Sequence, residues 1–353
     1  MAYTTINDPS AYFQTAIYTG NGDSDDDTNA ITNDGNSDLQ PDWVWIKRRD
    51  YDNQPVLHDS NRGVTKFLST DRTDAEGTIS PTTKFQSFDT DGFTTGSSSG
   101  AYNAENEPFV AWQWKANGGT TSTNTDGDIN STVQVNSTAG FSIVQYNPSN
   151  NTARSIGHGL GVQPQVVIVR ARDRDENWRV FHRSAGTTGS LILDGTSAYN
   201  SSTVLFTADS TSTVFKVGTD FSVNGGYNYI AYCFANVQGY SKFGKYVGNG
   251  SANGPFVYTG FKPAFVMIKR ADSTSNWQIK DSARNPSNLA DKTLFANVTQ
   301  SEYSTFYFYD LLSNGFKVRG TDAELNDSGG SYIYMAFAEN PFVTSTGIPT
   351  TAR

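Results

Sequence analysis

One pattern occurs three times along the chain: a proline, a run of four apolar residues, then a base and an aspartate at fixed distances. The copies read PDWVWIKRRD (41–50), PQVVIVRARD (164–173) and PAFVMIKRAD (263–272). The base is Lys47, Arg170 or Lys269, and it stands six residues after the proline each time. So many residue classes at one spacing predict that the chain builds the same unit three times.

The repetition extends well beyond this motif. Each copy closes with a second apolar run, FVAWQWK (109–115), YIAYCFA (229–235) or YIYMAFA (332–338). Each copy also opens with a strand and turn, AIYTGNG (16–22), the divergent SIVQYNPSN (142–150) or GKYVGNG (244–250). A unit of roughly 100 residues is large enough to bury its own core. The pattern therefore predicts three homologous domains in a row.

Changes in composition place the boundaries of these domains. We predict an N-terminal arm at 1–13, β-domains at 14–117, 140–239 and 240–342, a polar linker at 118–139 and a C-terminal tail at 343–353. The linker has almost no large apolar residue and is expected to be exposed, extended and mobile. Domains two and three follow each other with hardly a spacer, which predicts one rigid unit. The two polar ends are expected to dock on a neighbouring subunit or to stay loose.

The apolar patterns predict an all-β fold. The closing runs alternate, which assigns one strand face to the core; its members are Val110, Trp112, Trp114, Ile230, Tyr232, Phe234, Ile333, Met335 and Phe337. The runs after the prolines are apolar at successive positions, as in strands buried on both faces. Helical periodicity is nearly absent, and Asn-Gly, Gly-Gly and Asp-Gly pairs punctuate the chain. Each domain is predicted to be an antiparallel β-sandwich of about six to eight strands, with a jelly-roll-like form preferred.

Charge and cysteine content exclude several classes of protein. The net charge of −9 argues against a nucleic-acid binder, because attraction to phosphate supplies most of such affinity. The sequence contains no apolar run of the roughly 18 residues that a membrane helix needs, and its start lacks the pattern of a secretory signal. The single cysteine, Cys233, excludes an intramolecular disulfide. We expect synthesis in the cytoplasm, no membrane insertion, and durability from packing or oligomerisation.

The sequence shows no catalytic constellation. The three histidines, His58, His158 and His182, are too scattered for a metal-ligand signature. The acidic stretch 22–38 offers Asp23, Asp25, Asp26 and Asp27 as oxygen ligands for calcium, but it lacks the spacing of a calcium-binding loop, so a solvated loop is favoured. Asp89 and Asp91 share a strand face beside a glycine, where turn chemistry is the simpler explanation. The sequence therefore predicts a non-enzymatic protein without a cofactor or a metal.

Two groups of residues are candidates for ligand contact. Trp178 and Trp277 both stand 14 residues after their prolines, and exposed indoles bind sugar rings, but both share a face with apolar residues and core packing is favoured. Domain two also carries an excess of arginines, at 154, 170, 172, 174, 179 and 183. These residues suit an acidic glycan or a phosphate, whereas salt bridges between subunits or solvation of strand ends are the favoured explanation.

Several longer phrases resemble a known family. They are the opening MAYTTINDPSAYFQTAIYTGNG and DSNRG (59–63), FVAWQWKANGG (109–119), IGHGLG (156–161), GYSKFGKYVGNG (239–250), FVYTGFKP (256–263) and SGGSYIYMAFAENPF (328–342). Together they are similar to proteins of marine tailed bacteriophages that carry a repeated domain of unknown function and are described as tail-fibre-like virion structural proteins. The resemblance covers almost the entire chain. It brings no catalytic residues.

This resemblance implies a non-enzymatic virion structural protein, either a tail or head appendage or a decoration of the capsid surface. The implied partners are other virion proteins, and the implied assembly is a homotrimer whose aromatic contacts we assign to Tyr229, Tyr332 and Tyr334, expected on exposed strand faces. The alternative is a host-recognition module that binds a cell-surface glycan through loops of domains two and three. In that case Trp178 and Trp277 are the candidate glycan contacts.

Overall fold

The computed structural model describes residues 3–22, 28–97, 100–148 and 152–349. A short 3-10 turn at Pro9–Ala11 precedes the first strand. Residues 13–114, which we call repeat 1, build β1 Phe13–Thr19, β2 Asn29–Ile31, β3 Trp43–Arg48, β4 Val56–Asp59, β5 Lys66–Ser69, β6 Gly77–Thr78, β7 Phe85–Asp89, β8 Gly92–Thr95 and β9 Pro108–Trp114.

Residues 122–234, repeat 2, build β10 Ser122–Asn124, β11 Ser131–Asn136, β12 Phe141–Tyr146, β13 Arg154–Gly157, β14 Val166–Ala171, β15 Arg179–His182, β16 Leu191–Ile192, β17 Val214–Val217 and β18 Tyr229–Phe234. Residues 241–341, repeat 3, build β19 Ser241–Val247, β20 Phe256–Tyr258, β21 Phe261–Arg270, β22 Gln278–Asp281, β23 Leu294–Phe295, β24 Tyr309–Leu312, β25 Gly315–Val318, the short helix α1 Ala323–Asn326 and β26 Ser331–Pro341.

Each repeat forms one large and one small antiparallel sheet. The large sheets have the orders β1-β9-β3-β4-β5-β6, β10-β11-β12-β18-β14-β15-β16 and β19-β26-β21-β22-β23, and the small sheets are β2-β8-β7, β13-β17 and β20-β25-β24. In all three large sheets the closing strand lies between the opening strand and the strand that follows the proline. The expected all-β fold of antiparallel sandwiches is confirmed. Common descent of the three units stays a prediction.

The two faces of each large sheet bury different cores. One face packs against the small sheet of its own repeat, which gives three separate apolar clusters. The other face contributes to a single cluster shared by all three repeats, and this cluster contains all nine of the alternating residues assigned to the core. The strands after the prolines are buried at nearly every position, as expected for strands covered on both faces.

Aromatic contacts close the shared cluster into a ring. The ring of Trp43 in repeat 1 stacks on Tyr232 of repeat 2, with centroids 4.8 Å apart. Phe234 of repeat 2 meets Phe337 of repeat 3 at 5.8 Å, and Phe337 in turn lies 5.4 Å from Trp114 of repeat 1. Every repeat therefore touches both others. The three units follow one another along the chain, but in space they form a ring. The physical reason is that the outward-looking aromatic face of each large sheet needs cover, and the other two sheets supply it.

The polar segment 118–139 has no buried residue along 118–130, as its composition predicted, but it is not a free linker. It contains β10 and β11, and β11 pairs along its length with β12, from Ser131 opposite Tyr146 to Asn136 opposite Phe141. Val133 and Gln134 are buried. The segment thus widens the large sheet of repeat 2, because a neighbouring strand satisfies its backbone groups even where side chains add little apolar area.

The N-terminal arm also docks within the same chain. The Thr4 hydroxyl donates to the Gln238 carbonyl at 2.7 Å, and the Asn7 amide donates to the Ser345 hydroxyl at 2.6 Å. Ile6 is buried in the shared cluster. The described part of the arm, which precedes repeat 1, therefore binds the segment 235–240 that leads into repeat 3 and the tail that follows repeat 3. Within the described residues, no helix is long and apolar enough to cross a membrane.

Candidate functional site

The repeats meet at three joints that use the same backbone contacts. At each joint a loop of one repeat lies against the strand after the proline of the next, so repeat 1 contacts repeat 2, repeat 2 contacts repeat 3, and repeat 3 contacts repeat 1. The Glu76 amide donates to the Arg172 carbonyl at 2.6 Å and the Glu302 amide to the Arg49 carbonyl at 2.6 Å. The Tyr199 amide makes the corresponding bond to the Ala271 carbonyl at 2.8 Å. We call these contacts the 1–2, 3–1 and 2–3 joints.

The base of the repeated motif is buried beside each joint. Lys47 donates from Nζ to the carbonyls of Val298 and Thr299 at 2.9 and 3.1 Å, and burial lowers its pKa to about 8. Arg170 donates to the carbonyls of two residues in the repeat 1 loop, and burial lowers its pKa to about 10. Lys269 turns instead to carbonyls of its own repeat. Two of the three bases, Lys47 and Arg170, thus bind backbone carbonyls in a loop of the neighbouring repeat.

A buried ionic network holds the 1–2 joint. Asp59 pairs with Arg62, and both side chains are fully buried. Arg62 reaches Glu76 at 3.0 Å, and Arg172 of repeat 2 binds the same carboxylate at 2.9 Å. The hydroxyl of Tyr232, also in repeat 2, donates to Asp59 at 2.7 Å. Burial opposes the charge on Glu76, but the two guanidinium groups outweigh it and lower the pKa of that carboxyl.

The 3–1 joint repeats this network residue for residue. Asp281 pairs with Arg284 at 2.7 Å, again with both side chains fully buried. Arg284 and Arg49 both bind Glu302, at 3.1 and 2.9 Å, and the indole N–H of Trp112 donates to Asp281 at 3.0 Å. The strand register places Asp59 opposite Trp43 and Asp281 opposite Phe265, which establishes that the two aspartates are equivalent.

The 2–3 joint has the same backbone but almost none of the charge. His182, opposite Val166, takes the place of the aspartate. Its Nε2 lies 3.2 Å from the Tyr334 carbonyl of repeat 3, and burial lowers its pKa to about 4. By position, Ala185, Tyr199 and Ala271 replace the arginine, the glutamate and the second arginine, and all three contribute to the shared apolar cluster. This joint is therefore held by apolar packing, neutral hydrogen bonds and one neutral imidazole.

The candidate glycan contacts Trp178 and Trp277 belong to the joints. Both are buried in the shared cluster. The Trp178 indole N–H donates to the Ser69 carbonyl of repeat 1 at 2.9 Å, and that of Trp277 donates to the Ile192 carbonyl of repeat 2 at 2.8 Å. A sugar has no access to either ring face, so the assignment as glycan contacts is wrong. The core packing favoured from the sequence is confirmed.

The candidate oligomer contacts Tyr229, Tyr332 and Tyr334 are also buried. Tyr229 donates to the Phe221 carbonyl at 2.6 Å, and Tyr332 donates to the Ala323 carbonyl at 2.6 Å. The expectation of exposed faces is wrong because the face of the closing strand opposite the shared cluster is covered within its own repeat. These tyrosines pack within the chain and are not available for contacts between subunits.

The remaining polar candidates have structural partners. The six arginines of domain two do not form one patch, since Arg170 and Arg172 lie at the 1–2 joint while Arg183 pairs with Asp209 at 2.9 Å on the surface. Asp89 accepts from Ser87 and Thr94 at its own hairpin, as turn chemistry predicts, whereas Asp91 accepts from the distant Leu39 amide.

Two further candidates concern reactivity and metal binding. Cys233 is buried, which raises the pKa of its thiol. Four candidate calcium ligands, Asp23, Asp25, Asp26 and Asp27, lie outside the described residues. Within the described ranges no group of three or more histidine, cysteine, aspartate or glutamate residues could hold a metal ion.

Sequence reasoning missed the joint networks, although a signal for them was present. The pair Asp59 and Arg62 recurs as Asp281 and Arg284, 18 and 21 residues after the respective prolines. An aspartate at the end of a strand and an arginine three residues later, repeated at one spacing, predict a structural ion pair. Their partners Glu76 and Glu302 lie in loops of unequal length, and no spacing rule connects them to the strands of the next repeat.

The comparisons with known proteins place the chain in one family. Residues 8–341 match the family described as domain of unknown function (DUF7483), and the chain belongs to it. The match spans all three repeats together. No curated protein and no solved structure matches the chain.

Proposed function

We propose that the chain is a non-enzymatic structural protein of a tailed bacteriophage particle, assembled in the host cytoplasm as a tail or head appendage or as a decoration of the capsid surface. The phrases that resemble phage virion proteins suggest this role. The observation that best supports it is the closed ring of three joints around one aromatic cluster. Such a ring resists unfolding without a disulfide, which suits a protein that must persist outside the cell.

The ring also bears on the proposed partners. The residues assigned to a homotrimer are buried, so a trimer of this chain would need other surfaces. The three large sheets already give a threefold arrangement within one chain. Other virion proteins remain the proposed partners, and the outer surfaces of the small sheets and their loops are the faces available to them.

The test is to locate the chain on purified particles. Antibodies raised against the recombinant chain are expected to label intact particles at one repeated position in immunogold electron micrographs. Label over the capsid would identify a decoration protein, and label on the tail or a fibre would identify an appendage. Detection in infected cells together with absence from purified particles, by labelling and by peptide mass spectrometry, would contradict the proposal.

A further inference from the structure

Repeat 3 carries exposed aromatic residues that the fold does not require. On β20, Tyr258 is 53% and Phe256 is 45% exposed, two residues apart on one face of an edge strand. The register with β25 aligns Tyr258 opposite Gly315, and in repeat 2 the equivalent of Tyr258 is Gly157, opposite Val214. Two large aromatic side chains exposed on the same strand face form a candidate binding surface.

The equivalent positions in repeat 1 support this interpretation. There the register places Ala30 at the position of Phe256. Thr32, the residue after β2, takes the position of Tyr258. Two copies of the unit therefore build the same small sheet with small residues at these positions. The fold alone does not explain the aromatic residues of repeat 3, which makes them candidates for a function specific to that repeat.

Tyr258 forms one wall of a pocket between repeat 3 and the N-terminal arm. The pocket has a volume of about 310 Å³, and its lining includes Tyr3, Asn236, Gln238 and Lys242. This volume is at the lower end of the roughly 300–1,000 Å³ of small-ligand sites. The pocket is therefore of a size for one or two sugar rings rather than for a folded partner.

The two tyrosines are fixed before any ligand arrives. Their hydroxyl oxygens lie 3.0 Å apart, and Tyr3 donates to the Gly260 carbonyl at 2.8 Å. Gly260 has a φ of +86°, and a Cβ at this position would lie only 2.8 Å from the Tyr3 hydroxyl oxygen. The glycine thus permits the approach of the arm. A preformed aromatic wall loses little conformational entropy on binding.

Two polar side chains of the pocket are free to bind a ligand. Asn236 and Gln238 are exposed, but the side-chain oxygen of Asn236 accepts from the Phe243 amide at 2.8 Å. Within the described part of the chain neither the side-chain amide of Gln238 nor the Lys242 ammonium has a hydrogen-bond or ion-pair partner. Amides donate to and accept from hydroxyl groups, an aromatic face packs on apolar C–H groups, and an unpaired ammonium attracts an anion. Hydroxyl, C–H and acidic groups occur together on an acidic sugar.

We propose that the pocket formed by Tyr3, Tyr258, Gln238 and Lys242 binds an acidic saccharide. This inference goes beyond the proposed structural role. The two proposals can fail separately, since saccharide binding is measured on the purified chain and the structural role on particles.

The test uses trigalacturonate as the probe and galactotriose as its neutral counterpart. Saturation-transfer NMR is expected to show the sugar C–H protons in contact with aromatic residues, and titration calorimetry is expected to show tighter binding of the acidic sugar. Tyr258→Thr, which introduces the residue of repeat 1, should weaken binding of both sugars at least about tenfold. Lys242→Gln should abolish the preference for the acidic sugar and keep the binding of the neutral one.

Tyr51→Thr is the matched control, because Tyr51 is 62% exposed on repeat 1 and lies away from the pocket. It should leave both affinities unchanged. Failure of either sugar to bind, or an equal loss of binding in Tyr51→Thr and Tyr258→Thr, would overturn the proposal. If Tyr258→Thr does not fold, Lys242→Gln decides the question, and an unchanged preference for the acidic sugar would then count against it.

Discussion

The 3–1 joint and the 2–3 joint share a backbone geometry and differ in chemistry. The first buries two arginines and two carboxylates, of which Asp281 and Arg284 are fully enclosed. The second places His182, Ala185 and Tyr199 at three of the equivalent positions. The comparison shows that the ionic network is not needed to form a joint, which agrees with the finding that buried ion pairs can often be exchanged for apolar residues.

Chain connections do not explain where the charges lie. Six residues, 235–240, connect the last strand of repeat 2 to the first of repeat 3, and seven, 115–121, connect repeat 1 to repeat 2, yet of these two joints only the 1–2 joint is ionic. The charges instead distinguish the correct neighbour from the wrong one. A loop docked on the wrong neighbour would bury Glu76 or Glu302 against Ala271 without a partner, so the charges oppose incorrect closure.

The largest expected effect comes from removing one member of an ionic joint. Arg62→Ala and Arg284→Ala should each lower the free energy of unfolding by about 3–5 kcal/mol, because each leaves two carboxylates with a buried partner missing. Denaturant unfolding followed by tryptophan fluorescence measures this. The control is Arg183→Ala, whose surface pair with Asp209 should contribute no more than about 1 kcal/mol.

A second variant tests whether the neutral residues of the 2–3 joint can replace the ion pair of the 3–1 joint. The double substitution Asp281→His with Arg284→Ala gives the 3–1 joint two of the four residues of the 2–3 joint, and it should lower the free energy of unfolding less than Arg284→Ala alone. A double variant at least as unstable as the single one would show that the joints are not interchangeable.

The pH dependence of the free energy of unfolding should distinguish the 2–3 joint from the two ionic joints. The pKa of His182 is about 4 in the fold against an ordinary 6.5, so the unfolded chain binds more protons between these values. The contribution of neutral His182 to the free energy of unfolding is complete above pH 6.5. It is lost as the pH falls towards 4, and the loss is about 3 kcal/mol at most. The carboxyls of Glu76 and Glu302 have lowered pKa values, so their contribution is complete above the ordinary 4.5 and is lost only below it.

Unfolding measured at pH 7, 5.5 and 4.5 in the parent chain and in His182→Gln tests this. The variant should show a flatter dependence between pH 6.5 and 4.5, while the decline below 4.5 should stay. His158, whose pKa burial also lowers to about 4, is present in both proteins and does not affect the difference. Identical pH profiles would mean that His182 does not titrate with unfolding.

The smallest expected effect concerns the indole hydrogen bonds across two joints. Trp178→Phe and Trp277→Phe should each lower the free energy of unfolding by about 1–2 kcal/mol more than Trp45→Phe does. The reason is that each removes the indole donor to a buried carbonyl of the neighbouring repeat. Trp45 is the matched control, since its indole nitrogen has no partner within the described residues. Equal losses in all three variants would assign the stabilisation to ring packing alone.

Much of the fold could be predicted because its signals are local. Alternation in the closing runs correctly assigned Trp112, Tyr232 and Met335 to one face, and continuous apolar runs correctly indicated strands covered on both sides. The tyrosine assignment failed for a related reason. Alternation shows which side chains share a face, but it does not show that a second sheet covers the opposite face, where Tyr229 and Tyr332 lie.

By itself the sequence determined the all-β class, the three units and their core faces, since these follow from side-chain periodicity along single strands. Only the tertiary structure decided how the units meet, which charged residues pair across the joints, and that the arm docks on repeat 3 to form the pocket at Tyr258. These contacts join residues up to 338 positions apart, such as Asn7 and Ser345. Such pairings depend on how whole surfaces fit together, and no spacing along the chain encodes them.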